Sequence, residues 1–183
     1  MKSLLVKDLA VPLAEYATVS DGATLYDAIM ALEEVHALDQ SHYRHRAILV
    51  FDDKDRVIGK LGQFDILIAL ESKYQQLGDL ERLACIGLSN AFIKSVFNQY
   101  SFWSKPLGEI CSAAAALQVD DIMHRLGEDE YIEESAPLDE AIHQLIMGRH
   151  QSLIVTKGEE IVGILKLSDI FRDVCVMVQS HKK

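Results

Sequence analysis

An internal repeat limits what this chain can fold into more than any other feature. Asp53-Lys54-Asp55-Arg56-Val57-Ile58-Gly59-Lys60-Leu61-Gly62-Gln63-Phe64-Asp65-Ile66 has a later counterpart in Lys157-Gly158-Glu159-Glu160-Ile161-Val162-Gly163-Ile164-Leu165-Lys166-Leu167-Ser168-Asp169-Ile170. Each copy reads as a polar turn, a short apolar strand with a glycine inside it, and an aspartate opening an amphipathic helix. The aspartates stand 169 − 65 = 104 residues apart. A unit that recurs in this way sets architecture before it sets chemistry.

The pattern extends upstream of both copies. After a mixed lead-in, Tyr16 to Ser20 reads as a short strand and Asp21-Gly22 as a turn. From the N-cap residue Thr24, Leu25, Ala28, Ile29, Leu32 and Val35 recur at steps of three and four, which predicts a helix to about His36. Ala37 to Arg46 reads as a polar loop, and Ala47-Ile48-Leu49-Val50-Phe51 as a strand buried on both faces. Val57 to Leu61 returns antiparallel, and a helix opening near Asp65 runs to about Tyr74. The second unit repeats the order from Val119 through Tyr131-Ile132, a helix starting at Pro137, strands Ser152 to Thr156 and Ile161 to Leu165, and a helix from Leu167 to Val178. The two upstream helices align at an offset of 113 rather than 104, so the first unit holds nine extra residues, expected in the histidine-rich loop. Between the units, Leu77, Leu80, Ala84, Leu88, Phe92 and Val96 predict one helix, and Leu107, Ile110, Ala114 and Leu117 another. Phe92, Phe97, Tyr100, Phe102 and Trp103 lie in this stretch, which either covers the strand units or forms an oligomer interface. The expected boundaries are 1–74 for the first unit, 75–118 for the helical insertion and 119–183 for the second unit.

Bulk electrostatics excludes some partners. With 18 basic and 28 acidic side chains the net charge is −10, so a non-specific grip on nucleic acid is not expected and any phosphate must be held locally. The first residues are cut by charge before a signal core forms, and no stretch reaches about 18 uninterrupted apolar residues, so a cytoplasmic protein without a membrane span is expected. Cys85, Cys111 and Cys175 are odd in number, far apart and set among apolar or small residues, which reads as buried reduced thiols. No serine has a positioned histidine and acid, no glycine-rich phosphate loop follows a strand, and no cysteine is paired with a histidine. No catalytic residue is expected.

These residues resemble the tandem cystathionine-β-synthase (CBS) domain pair, or Bateman module. The resemblance rests on Val119-Asp120-Asp121-Ile122-Met123, the Leu138-Asp139-Glu140-Ala141 helix start, the apolar strand after it, and Val162-Gly163-Ile164-Leu165 followed by Asp169-Ile170, with a weaker copy in the first unit. It implies an α+β fold of two βαββα repeats packed around a pseudo-twofold axis, the insertion lying between them in sequence. It also implies clefts that take adenosine nucleotides, side-by-side pairing into a homodimer, and a regulated protein as the further partner. In such relatives Gly-x-x-Thr/Ser-x-x-Asp supplies a hydroxyl for phosphate and a carboxylate for ribose. Here the aspartates are Asp65 and Asp169, while the hydroxyl position holds Gly62 and Lys166.

Each candidate has two physical readings. An ionised carboxylate at Asp65 or Asp169 can accept from ribose hydroxyls, or can serve the free N–H groups of its own helix start. Lys166 either offers phosphate a point charge or stands solvated at a strand end. Gly62 either lets backbone N–H groups approach an anion or is a bend. Arg46, with Arg44 and His45, forms either a local phosphate patch or a solvated basic loop. Thr18, Ile132 and Ser152, on the strand segments, complete the candidate ligand-binding set. His42 and His45, with Asp39 and His36 nearby, sketch a zinc site, but nothing on a loop fixes their geometry, and no metal ligand is assigned. The function expected is a stand-alone regulatory module holding AMP, ADP or ATP in a cleft between the repeats. The alternatives are a degenerate pair used only for dimerisation or protein contact and, more weakly, a metal-responsive protein.

Overall fold

The computed structural model describes residues 4–38, 47–78 and 87–180. The chain divides into two compact α+β units, one gathering Met1–Ala17, Glu34–His45 and Arg125–Lys183, the other Thr18–Glu33 and Arg46–His124. Among the described residues no helix is long and apolar enough to cross a membrane.

The unit with the second repeat is built on a four-stranded sheet of order β1-β7-β6-β5, where β1 is Val11–Pro12, β5 Tyr131–Glu133, β6 Ser152–Lys157 and β7 Glu160–Lys166. Leu153, Ile154 and Val155 are at most 1% exposed, as an apolar run in a central strand requires. Strands β5 and β6 are parallel, and helix α6 (Leu138–Gly148) crosses between them. It buries Leu138, Ala141 and Leu145, spaced three and four apart, against Leu153, Val155, Leu165, Ile170, Val6 and Ile132. Each such large side chain taken from water contributes about 1.5–3 kcal/mol before entropic costs. Pro137 sits one residue ahead of the helix rather than within it. Helix α7 (Leu167–Ser180) follows β7 directly.

The lead-in is part of this unit. The Val6 N–H donates to the Ala136 carbonyl at 3.0 Å, the Leu138 N–H to the Leu4 carbonyl at 2.9 Å, and Val6 is wholly buried. Val11 and Pro12 then pair antiparallel with Ile164 and Gly163. A Cβ on Gly163 would collide with the Val11 carbonyl, so the glycine inside β7 is where β1 approaches.

The unit with the first repeat has a three-stranded sheet of β2 (Thr18–Ser20), β3 (Ala47–Phe51) and β4 (Val57–Gly62). Helix α1 (Leu25–Leu38) opens on a capping box: Thr24 Oγ1 accepts from the Asp27 N–H, and the Asp27 carboxylate accepts from the Thr24 N–H. Its next donors, Leu25 and Tyr26 N–H, go to the Leu117 and Ala115 carbonyls, and a short helix α5 (Val119–Ile122) follows. Lys60 and His124 exchange backbone hydrogen bonds at 2.9 Å, and a Cβ on Gly59 would lie 2.8 Å from the His124 carbonyl. In both units, then, the glycine of the repeated strand marks the close approach of a segment distant in sequence, His124 at Gly59 and Val11 at Gly163.

Four expectations are corrected here. Helix α2 (Gln63–Leu70) does not reach Tyr74: Glu71 takes extended backbone, and a 3-10 segment, Ser72–Leu77, follows. A single helix does not run from Leu77 to Val96: Gly78 and Gly87 take positive φ and α3 (Asn90–Tyr100) starts only after its Ser89 cap, while Leu80 and Ala84 lie outside the described residues. The extra residues of the first unit are not confined to the loop, since α1 has 14 residues and α6 has 11. The insertion ends with helix α4 (Leu107–Ala114), on which Cys111 is exposed rather than buried; Cys175 is half-buried, and Cys85 lies outside the described residues. Phe97 and Tyr100 gather around buried Phe102, which Tyr74 stacks upon at 4.5 Å, while Phe92 stays exposed. The buried Glu71 carboxylate accepts from the Trp103 N–H at 2.7 Å and ties this cluster to the end of α2.

Candidate functional site

The sharpest concentration of buried charge lies where β7 runs into α7. Lys166 is the last residue of the strand and Asp169 lies in the first helical turn; they are 8% and 5% exposed. Lys166 Nζ is 3.1 Å from Asp169 Oδ2, and Arg172 Nη2, one turn on, is 3.8 Å from Oδ1. Ser152 is the cross-strand partner of Lys166 and is also buried, and the Leu167 N–H donates to the neighbouring Gln151 carbonyl at 3.0 Å. The structure therefore brings Ser152, Lys166 and Asp169 together. Lys166 is not a solvated strand-end lysine.

Tyr16 joins this cluster, and no periodicity or motif around it points there. Its phenol is pushed well above the ordinary tyrosine range, first by burial and then by the negative charge of Asp169. The stretch from Leu13 to Glu15 packs on β7 and delivers it. Arg172 was missed as well, although its place three residues after Asp169 on an amphipathic helix is a spacing that could have found it.

The first repeat uses its aspartate differently. Asp65 Oδ2 accepts from the Gly62 N–H at 2.7 Å, so this carboxylate caps the start of α2 and occupies the backbone donor that an anion would need. Thr18 is exposed at the start of β2, opposite Leu49. Ile132 is buried among core residues of the other unit, where its carbonyl accepts from the Thr156 hydroxyl at 3.4 Å. Arg46 and the residues Asp39, His42, Arg44 and His45 lie outside the described residues. Among the described residues no group of three or more metal-binding side chains converges.

Two open surface depressions of about 460 and 450 Å³ lie elsewhere, one beside Asp129, Glu140 and His143, the other beside Glu71, Lys73 and Ile110. Lys166 and Asp169 line neither. Size alone favours these depressions, but among the described residues only the β7–α7 turn joins buried groups of both signs. Such a pair can offer an ammonium to a phosphate and two carboxylate oxygens to hydroxyl donors.

Residues 6–72 and 119–175 match the family model of the CBS domain. No curated protein matches the chain. Among solved structures, a putative acetoin utilization protein (AcuB) from Vibrio cholerae superposes with a TM-score of 0.59 at 17% identity, covering 100% of this chain and 99% of that one. CBSX2, a CBS-pair protein of Arabidopsis thaliana, in complex with AMP gives 0.57 at 17% identity over 94% and 97% of the two chains. The protein MJ1004 from Methanocaldococcus jannaschii gives 0.56 at 14% identity; 93% of this chain is covered, and it spans 59% of that protein.

Proposed function

This chain belongs to the CBS-domain family and carries the domain as a pair, and on that premise we propose that it is a regulatory module binding an adenosine nucleotide at the β7–α7 turn and signalling occupancy to a protein partner. The observation that carries this reading is the 3.1 Å approach of Lys166 to Asp169 in a buried setting, a cation of the kind that takes phosphate beside a carboxylate of the kind that takes ribose hydroxyls. AMP is bound in the CBSX2 structure, which supports an adenosine ligand here. The first repeat is the weaker candidate, because Asp65 is engaged by the Gly62 N–H.

The test is thermal unfolding with AMP, ADP and ATP, after checking for nucleotide carried through purification. A ligand at ten times Kd that binds only the folded protein adds roughly 1.4 kcal/mol, which raises Tm by about 3–6 °C in a chain of this size. The shift is expected to disappear in Asp169→Asn and to persist in Asp65→Asn. If millimolar AMP, ADP and ATP all leave Tm unchanged, the nucleotide reading fails.

The active form in this proposal is a homodimer. Helices α6 and α7 carry Ile146, Met147, Phe171 and Val178, each between 66% and 71% exposed, more apolar surface than a lone module keeps in water without a binding role. Light scattering at micromolar concentration is expected to give twice the 20.5 kDa chain mass, and Phe171→Glu to lower it. A wild-type mass near 20.5 kDa overturns this part.

A further inference from the structure

We infer that the Lys166–Asp169 ion pair is a latch that makes phosphate obligatory: the site admits a nucleotide but rejects the corresponding free nucleoside. The inference rests on the β7–α7 turn being the nucleotide site and specifies which adenosine compounds it takes. Asp169 is already engaged. Its Oδ2 faces Lys166 Nζ at 3.1 Å, its Oδ1 lies 3.8 Å from Arg172 Nη2, beyond hydrogen-bond reach, and its side chain is 7% exposed. A ribose diol that takes both oxygens competes with Lys166 for Oδ2.

Whether that exchange is favourable depends on what else the ligand brings. The Lys166 side chain is 10% exposed and its ammonium has a carboxylate at 3.1 Å; a buried charge deprived of its partner is strongly unfavourable. Adenosine is neutral and offers the ammonium nothing in return for Asp169. A 5′-phosphate, carried a few bonds from the diol, accepts the ammonium as the hydroxyls replace it on the carboxylate. The lysine stem is flexible enough to swing between the two anions, where the shorter serine or threonine side chain would have no charge to transfer. Ser152, directly across the sheet from Lys166, supplies a hydroxyl on the same side of the exchange. S-adenosylmethionine places a sulfonium, a like charge to Lys166, where the nucleotide has phosphate.

The test is calorimetric titration of the full chain with AMP, adenosine and S-adenosylmethionine. Adenosine is expected to bind at least about tenfold more weakly than AMP, the factor that corresponds to 1.4 kcal/mol, and S-adenosylmethionine not measurably. Lys166→Thr removes the latch and is expected to narrow the gap, bringing adenosine close to AMP. Should that variant not fold, as judged by circular dichroism, Lys166→Gln keeps the stem, removes the charge and carries the same expectation. Equal binding of adenosine and AMP by the wild type overturns the latch and leaves the nucleotide reading intact. A wide gap that persists in a folded Lys166 variant overturns it too, since the discrimination then lies elsewhere. Failure of AMP and adenosine alike removes the nucleotide reading, and the latch with it.

Discussion

Asp169→Ala is expected to lower stability by about 3–5 kcal/mol, the range for removing one partner of a buried ion pair. In a chain of this size that is a drop in Tm of roughly 6–20 °C. The loss comes less from the missing contact than from what stays behind, because the Lys166 side chain, 10% exposed in the wild type, keeps its charge with its partner carboxylate gone. Lys166→Met/Asp169→Leu is therefore expected to melt much closer to the wild type than Asp169→Ala does, since both charges leave together and apolar volume replaces them. Thermal unfolding of the variants decides the matter. If Asp169→Ala costs under about 1 kcal/mol, the pair behaves as a surface contact and its burial has no energetic consequence. A loss of nucleotide binding in Asp169→Ala alone does not separate a ligand role from an unfolded site, whereas Asp169→Asn keeps the side-chain volume and an acceptor oxygen for Lys166.

The contrast between Asp65 and Asp169 shows how far the sequence could be read. The two occupy the same place in the repeat, and the repeated strand and helix starts around them were legible because apolar runs such as Leu153 to Val155 and periodic ones such as Leu138, Ala141 and Leu145 carry their own signal. What each carboxylate does depends on the residue three positions earlier. Gly62 has no side chain, so Asp65 turns to its N–H; Lys166 has an ammonium, so Asp169 turns to that instead. The choice of residue was visible, but the burial of Lys166 was not, because it follows from Tyr16 and the stretch before it packing on β7. That packing is tertiary and leaves no periodic trace. The same holds for Glu71, whose extended backbone ends α2 early while its carboxylate receives the Trp103 N–H from 32 positions away in the sequence.

Strand β1 is the clearest case of structure that two residues could not announce, and it can be tested at its partner. Gly163→Ala is expected to destabilise by about 1–3 kcal/mol, the cost of forcing an extra carbon into a packed site, or roughly 2–12 °C in Tm. The direction is diagnostic, since alanine inside an element is ordinarily better than glycine by roughly 0.5–1 kcal/mol. The added methyl meets the Val11 carbonyl, part of the backbone that pairs with β7 at Ile164 and Gly163, and backbone cannot move aside as the end of a side chain can. Val11 and Pro12 should lift off, and Tyr16, a few residues further on, should lose its place beside Asp169. Gly22→Ala is the control: nothing lies within 4 Å of a Cβ there, and a change within about 0.5 kcal/mol is expected. Thermal unfolding paired with limited proteolysis would read both effects, with cleavage of the first residues accelerated in Gly163→Ala. If Gly163→Ala proves as stable and as protease-resistant as Gly22→Ala, β1 does not pair with β7 in solution, and the burial of Tyr16, Lys166 and Asp169 loses its structural cause.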